Sequence, residues 1–423
     1  MKQGLDNGDG GGTAQNGVLE SGEVDYNTTY CSNYLIRMLK DINLGSNGSS
    51  PAHLTAVGNT LYFSANEGTN GVELWKSDGT STGTVMVKDI RAGTSGSGPD
   101  HLTAVGNTLY FSAYKDTSGY ELWKSDGTSS GTVMVKDIRA GTSGSGPDHL
   151  TAFNNALYFS AQDGTNGYEL WKSDGTSSGT VMVKDIRAGS GSSSPGHLTA
   201  FNNALYFTAN DGTNGAELWK SDGTSSGTVM VKDIYSGPGS SSPVYLTAIG
   251  NTLYFSAWED TNGNALWKSD GTSSGTVMVK DINPGQNGPA PSGLVAVGNT
   301  LYFSVHELSI SGTELWKSDG TSSGTVMVKD IHASGSSYPS SLTVFNNILY
   351  FNADDGINGH ELWKSDGTSS GTVMVKDINS GSGSSYPADL TAIGNTLYFR
   401  ADDSAALGSE LFMIDIHHEI TYS

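Results

Sequence analysis

Four histidines recur at one register of the chain: His53, His101, His149 and His197, with Tyr245, Gly293, Ser341 and Asp389 at the same place in later copies. Imidazoles gathered around one ring can ligate a transition metal, hold an anion or change charge near neutral pH. The plainer reading is that copied segments inherited a solvent-facing histidine. An eight-membered ring is also wide for one shared ion with bonds of about 2 Å.

A second candidate lies where the copies diverge. Trp258 stands in a loop, Ala265 replaces a glutamate found in the other copies, and His306 precedes a loop one residue longer. Exposed tryptophan and tyrosine make good contact surfaces, so Trp258 with Tyr245 is the expected ligand contact. Loop acids form another series: Glu67, Asp163, Asp211, Glu259, Glu307, Asp355 and Asp403, with Lys115 breaking it. Short Asp/Asn/Gly loops can hold calcium, but they are also ordinary turn chemistry, and turn formation is the expected role.

The N-terminal segment offers a degenerate calcium loop. Asn16, Glu20 and Glu23, with Gly17 at the sharp turn, fit the end of an EF-hand loop. Gly12 and Ala14 stand where acids are needed, although Asp6 and Asp9 can still supply oxygens if the loop bulges. Ca2+ is therefore the one cofactor expected, and a flexible acidic linker is the alternative.

These residues hang on a repeat. Glu-Leu-Trp-Lys-Ser-Asp-Gly-Thr recurs with tryptophans at 75, 123, 171, 219, 267, 316 and 363. A period of about 48 residues marks one supersecondary unit copied many times. Each copy divides into four short strands, in the first case Leu54–Val57, Thr60–Ala65, Glu73–Ser77 and Thr84–Ile90. Leu-Tyr-Phe and Val-Met-Val runs are apolar on both faces, as in sheets covered by neighbours on either side. The pattern predicts an eight-bladed β-propeller of four-stranded antiparallel blades over residues 33–416. A parallel β-helix would use shorter rungs. The segment Ile36–Ile42 is an orphan fourth strand, expected to complete the last blade and remove the exposed edges. Residues 1–32 form a separate Asp/Gly-rich segment and 417–423 a tail.

In this frame the repeated tryptophans read as wedges between blades. The turn aspartates (Asp78, Asp126, Asp174 and their equivalents) read as turn-formers, since each turn offers one carboxylate and calcium wants six to eight oxygens. The strings Glu-Leu-Trp-Lys-Ser-Asp-Gly-Thr and Gly-Thr-Val-Met-Val-Lys-Asp-Ile resemble the bacterial family of ELWxxDGT repeats, with Phe412 the one departure from the tryptophan. The resemblance implies a secreted or surface-attached bacterial protein and no particular reaction. The Asp-Gly-Thr turn also partly resembles the Asp-box turn of sialidase propellers.

Charged residues make up 15% of the chain, and 43 acidic against 22 basic side chains give a net charge of −21. Such a surface repels nucleic acid and anionic membranes. No apolar run reaches the roughly 20 residues that span a bilayer. The start resembles the interior of a longer secreted chain, and Cys31 is the only cysteine. No nucleophile motif, metalloprotease motif or phosphate loop is present. The expected function is therefore a non-enzymatic extracellular or cell-surface module that binds other copies or surface-layer proteins. A multivalent glycan-binding propeller is the alternative, and a propeller hydrolase or lyase ranks third because near-identical copies disfavour one asymmetric active site.

Overall fold

The computed structural model describes residues 35–44, 47–284, 288, 290–308, 312–403 and 408–415. Its strands form eight four-stranded antiparallel sheets arranged as an eight-bladed β-propeller. Residues Ile36–Ile416 make one compact unit. In the last blade, Leu35–Lys40 pairs outside Ser409–Asp415, which pairs with Thr396–Asp402, which pairs in turn with Ala388–Ile393. The N-terminal strand thus closes the ring as the repeat predicts.

The first strand of each blade touches the first strand of the next all the way round, so these eight strands surround the channel. In the first full blade the strands are Ala52–Val57, Thr60–Asn66, Val72–Ser77 and Val85–Lys88. The innermost strand starts two residues earlier than the sequence suggests, and the outermost is shorter because the chain turns away at Asp89. Tight turns need left-handed backbone, supplied by Gly58 in one blade and by Asn154 and Asn155 in another.

The core lies between blades. Trp171 packs with Leu150, Leu157, Phe159 and Ala161 of its own blade and with Tyr110, Leu122, Val135 and Ile138 of the preceding one. Phe159 is fully buried and Trp171 nearly so. Lys136 of the preceding blade lies 5.9 Å from the Trp171 ring and donates to the Thr180 carbonyl at 2.7 Å. The cation faces the ring while its hydrogen bond satisfies a carbonyl in the next blade. This is why neither face of the inner strands is polar.

Two carboxylates per repeat hold the loops. Asp174 Oδ1 accepts from the Thr176 amide at 2.8 Å and its hydroxyl at 2.7 Å. These bonds hold the Asp174 carboxyl below its ordinary range. Gly179 is required here, because a Cβ would overlap that carboxylate. Glu121 is fully buried. It accepts from the amides of Ile138 (2.9 Å) and Ser145 (2.8 Å) and from the Ser145 hydroxyl (2.6 Å). Burial pushes its carboxyl above the ordinary range, against the pull of these bonds. The blade with Ala265 lacks this clamp. There Asn283 bonds to the next blade instead, donating to the His306 carbonyl at 2.8 Å and accepting the Leu308 amide at 2.9 Å.

Candidate functional site

The histidine register lies inside the innermost strands, not before them. Asp148 pairs with Ser160 and Thr151 with Tyr158, so His149 and Leu150 together oppose Phe159 alone. This is a β-bulge, and it puts His149 in left-handed backbone at φ 53°. Every blade repeats it: His53, His101, His197, Tyr245, Gly293, Ser341 and Asp389 all have φ between 53° and 62°. Gly293 and Asp389 in the same column were the sequence signal for it, since glycine and aspartate tolerate this conformation.

The bulge aligns the rings in an arc at one end of the channel. Ring centroids are 6.5 Å apart for His53 and His101, 6.2 Å for His101 and His149, 5.4 Å for His149 and His197, and 6.1 Å for His197 and Tyr245. Neighbouring rings thus lie side by side. The reason is that first strands of adjacent blades touch. Among the described residues, however, no three His, Cys, Asp or Glu side chains are placed to hold a metal ion.

Two aspartates not singled out by the sequence complete the arc. His53 Nε2 lies 3.2 Å from Asp100 Oδ1, and His101 Nε2 lies 3.0 Å from Asp148 Oδ1. His101 Nε2 is 3.7 Å from Asp100 Oδ2, and His149 Nε2 is 3.8 Å from Asp148 Oδ1. Imidazoles and carboxylates therefore alternate across three blades. These groups are partly exposed, so each pair contributes little to stability. What they supply is orientation, because a carboxylate partner selects the ring tautomer and its direction. His197 differs. Burial, reinforced by the neighbouring His149 charge, holds it below the ordinary histidine range, with Asp148 pulling the other way.

The other expected contacts lie farther out on the blades. Trp258 packs edge-on against Tyr235 at 4.6 Å and 80°, whereas Tyr245 neighbours His197. The structure thus gives these two aromatics separate partners. His306 Nδ1 is 3.1 Å from the Thr313 hydroxyl. The loop acids serve turns: Asp163 Oδ1 accepts from the amides of Thr165 (2.8 Å) and Asn166 (2.9 Å). The calcium candidates Asp6, Asp9, Asn16, Glu20 and Glu23 lie outside the described residues.

Sequence reasoning also missed an aromatic ladder at the same end of the blades. His360 stacks on Tyr386 at 5.2 Å and 26° and approaches Tyr338 at 6.4 Å. Both tyrosines hold left-handed backbone, where most other copies carry Ser or Gly before the proline, as in Ser50, Gly98, Gly146 and Ser194. That column was the signal.

An eight-bladed propeller with a polar, ring-lined channel mouth is the class that the fold and site define. No protein-family model and no curated protein matches the sequence. Solved structures do resemble the fold. A puromycin-hydrolyzing peptidase of Mycobacterium tuberculosis has a TM-score of 0.51 and 11% identity, covering 86% of this chain and 60% of its own. Prolyl oligopeptidase B from Galerina marginata, bound to a 35mer hydrolysis and macrocyclization substrate, has a TM-score of 0.54 and 9% identity, covering 86% and 56%. A prolyl endopeptidase has a TM-score of 0.50 and 9% identity, covering 84% and 55%. The chain therefore spans 55–60% of the length of these proteins, and identities this low speak for the fold alone.

The expectation of a non-enzymatic module is corrected to this extent: the solved structures that this fold resembles are peptidases, so the fold gives that expectation no support. Identity of the scaffold strands leaves the channel-mouth column free to vary, and that column is asymmetric.

Proposed function

We propose that this chain is the propeller part of a hydrolase-type protein and that the His–Asp arc faces its substrate. The observation that carries this reading is the asymmetry of the mouth. One half is a row of imidazoles and a phenol held in register by bulges, and the other half carries Gly293, Ser341 and Asp389. Rigid scaffolds commonly display function on such variable positions. The similar solved structures are peptidases, which makes peptides the substrate class to try first. The propeller's part in this reading is to receive and orient the chain, and no bond-breaking residue is assigned to it.

The test is to titrate unstructured peptides of mixed sequence while following imidazole Cε1–H resonances. Signals of His53, His101, His149 and His197 should move, while those of His306, His332 and His360 stay. Movement confined to the latter three, or no movement at millimolar peptide, would overturn the reading.

A further inference from the structure

Two adjacent blades carry an acid just before the bulge, and the blade that follows them carries none. Asp100 Oδ1 sits 3.2 Å from His53 Nε2 of the preceding blade and accepts the amide of His101 at 2.6 Å. Asp148 Oδ1 sits 3.0 Å from His101 Nε2 and accepts the amide of His149 at 2.6 Å. Each carboxylate is thus held between an imidazole of one blade and a backbone N–H of the next. Position 196 occupies the same register: Gly196 pairs with Thr208 as Asp100 pairs with Ser112 and Asp148 with Ser160. Gly196 has no side chain to place there.

The groups that hold Asp100 and Asp148 have counterparts around Gly196. A Cβ added at Gly196 would stand 3.3 Å from His149 Nε2, so this nitrogen faces the vacated spot. His197 flanks it on the other side, and its ring is closer to His149 than in any other pair of the arc, at 5.4 Å between centroids. Beyond His197 comes the phenol of Tyr245. The nearest carboxylate is Asp148, 3.8 Å from His149 Nε2. The stretch His149–His197–Tyr245 is therefore the part of the arc where imidazoles have no acid inserted between them.

We propose that this gap binds an exogenous carboxylate, a peptide C-terminus or an acidic side chain, in the place that Asp100 and Asp148 fill in the neighbouring blades. His149 Nε2 and the His197 amide are the counterparts of the donors that hold Asp100 and Asp148. A hydrogen bond to an ionised acceptor is about twice as strong as a neutral one. A bound anion also offsets the burial that disfavours charge on His197. This inference stands on the comparison with the two preceding blades and does not depend on the hydrolase reading.

The experiment follows the Cε1–H signals of His149 and His197 against acetate, an N-acetylated tripeptide acid, the same tripeptide as its amide, and inorganic phosphate. Acetate and the free acid should shift both signals, and the amide should not. Gly196→Asp supplies the carboxylate internally, so it should weaken binding by roughly tenfold or more with little change in melting temperature. His149→Ala should lose binding to the same degree, which keeps the test decisive if Gly196→Asp folds poorly. Equal binding of acid and amide, undiminished binding by either variant, or phosphate competing as well as the tripeptide acid overturns the assignment.

Discussion

The hydroxyl of Thr391 donates to the carbonyl oxygen of Leu54 at 2.8 Å, joining residues 337 positions apart. The same bond links Thr103 to Leu150 at 3.0 Å and Thr247 to Leu294 at 2.9 Å, forming a hoop of inter-blade bonds around the channel. Val295 stands in the hoop where a threonine would be expected. The ring is thus closed at two radii, by Thr391 on the inside and by the strand Leu35–Lys40 on the outside.

The outer closure should be the more costly to lose. Ile36, Leu39 and Ile42 are all buried, and burying such side chains stabilises by about 1.5–3 kcal/mol each before chain ordering is counted. Removing residues 1–42 also strips Glu410 of the Ile42 amide and leaves the edge of Ser409–Asp415 open. The expected outcome is a lower melting temperature with concentration-dependent self-association, read by calorimetry and light scattering. An unchanged melt would refute the closure.

Trp171→Ala should cost about 3–5 kcal/mol in denaturant unfolding, because it empties the space between two blades. Trp171→Phe should cost much less, since Phe412 fills the equivalent place in the last blade and is itself buried. Equal losses for the two variants would show that the indole is not acting by volume.

Gly179→Ala and Asp174→Ala should be strongly coupled. The added methyl overlaps the Asp174 carboxylate, and overpacking of this kind costs about 1–3 kcal/mol. Removing the carboxylate removes the clash, so the double variant should be more stable than the sum of the singles predicts. Strict additivity in a double-mutant cycle would contradict the turn geometry.

Stability should respond to pH in two opposed stages. The folded Glu121 carboxyl lies above its ordinary 4.5, so the folded state binds more protons than the unfolded one in that window. Stability therefore falls as pH rises from about 4.5 through the raised value. The turn aspartates lie below their ordinary 3.8, so their contribution is present above that value and is lost as pH falls beneath it. Melting temperature should peak under mildly acidic conditions. Glu121→Gln, which cannot titrate, should melt lower but with a shallower decline as pH rises above 4.5. The six equivalent glutamates titrate alike, so the slope should flatten further with each one replaced, and a slope unmoved by replacing several would assign it to general acidic repulsion.

The blades were legible because identical strings at a fixed period need no tertiary information to be counted. Trp171 could be assigned to packing for the same reason. The bulge at His149 was hidden, since nothing about histidine announces left-handed backbone and only comparison with Gly293 and Asp389 points to it. Asp100 and Asp148 were overlooked because their partners sit one blade back, 47 residues upstream in sequence. Glu121 gave no sign of burial, because the amides it accepts come from a loop 17–24 residues later. Trp258 looked like a free surface ring, and its neighbour Tyr235 is 23 positions earlier on the preceding loop.

The bulge has a use that outlasts any one ligand. It separates address from content: the backbone determines where a side chain is displayed, and the residue at that spot can be exchanged without disturbing the strand. Natural variation already includes His, Tyr, Gly, Ser and Asp at this one address. The channel mouth is thus an eight-position display whose letters can be rewritten one blade at a time, and a library varying only those positions would explore recognition on a frame that stays constant.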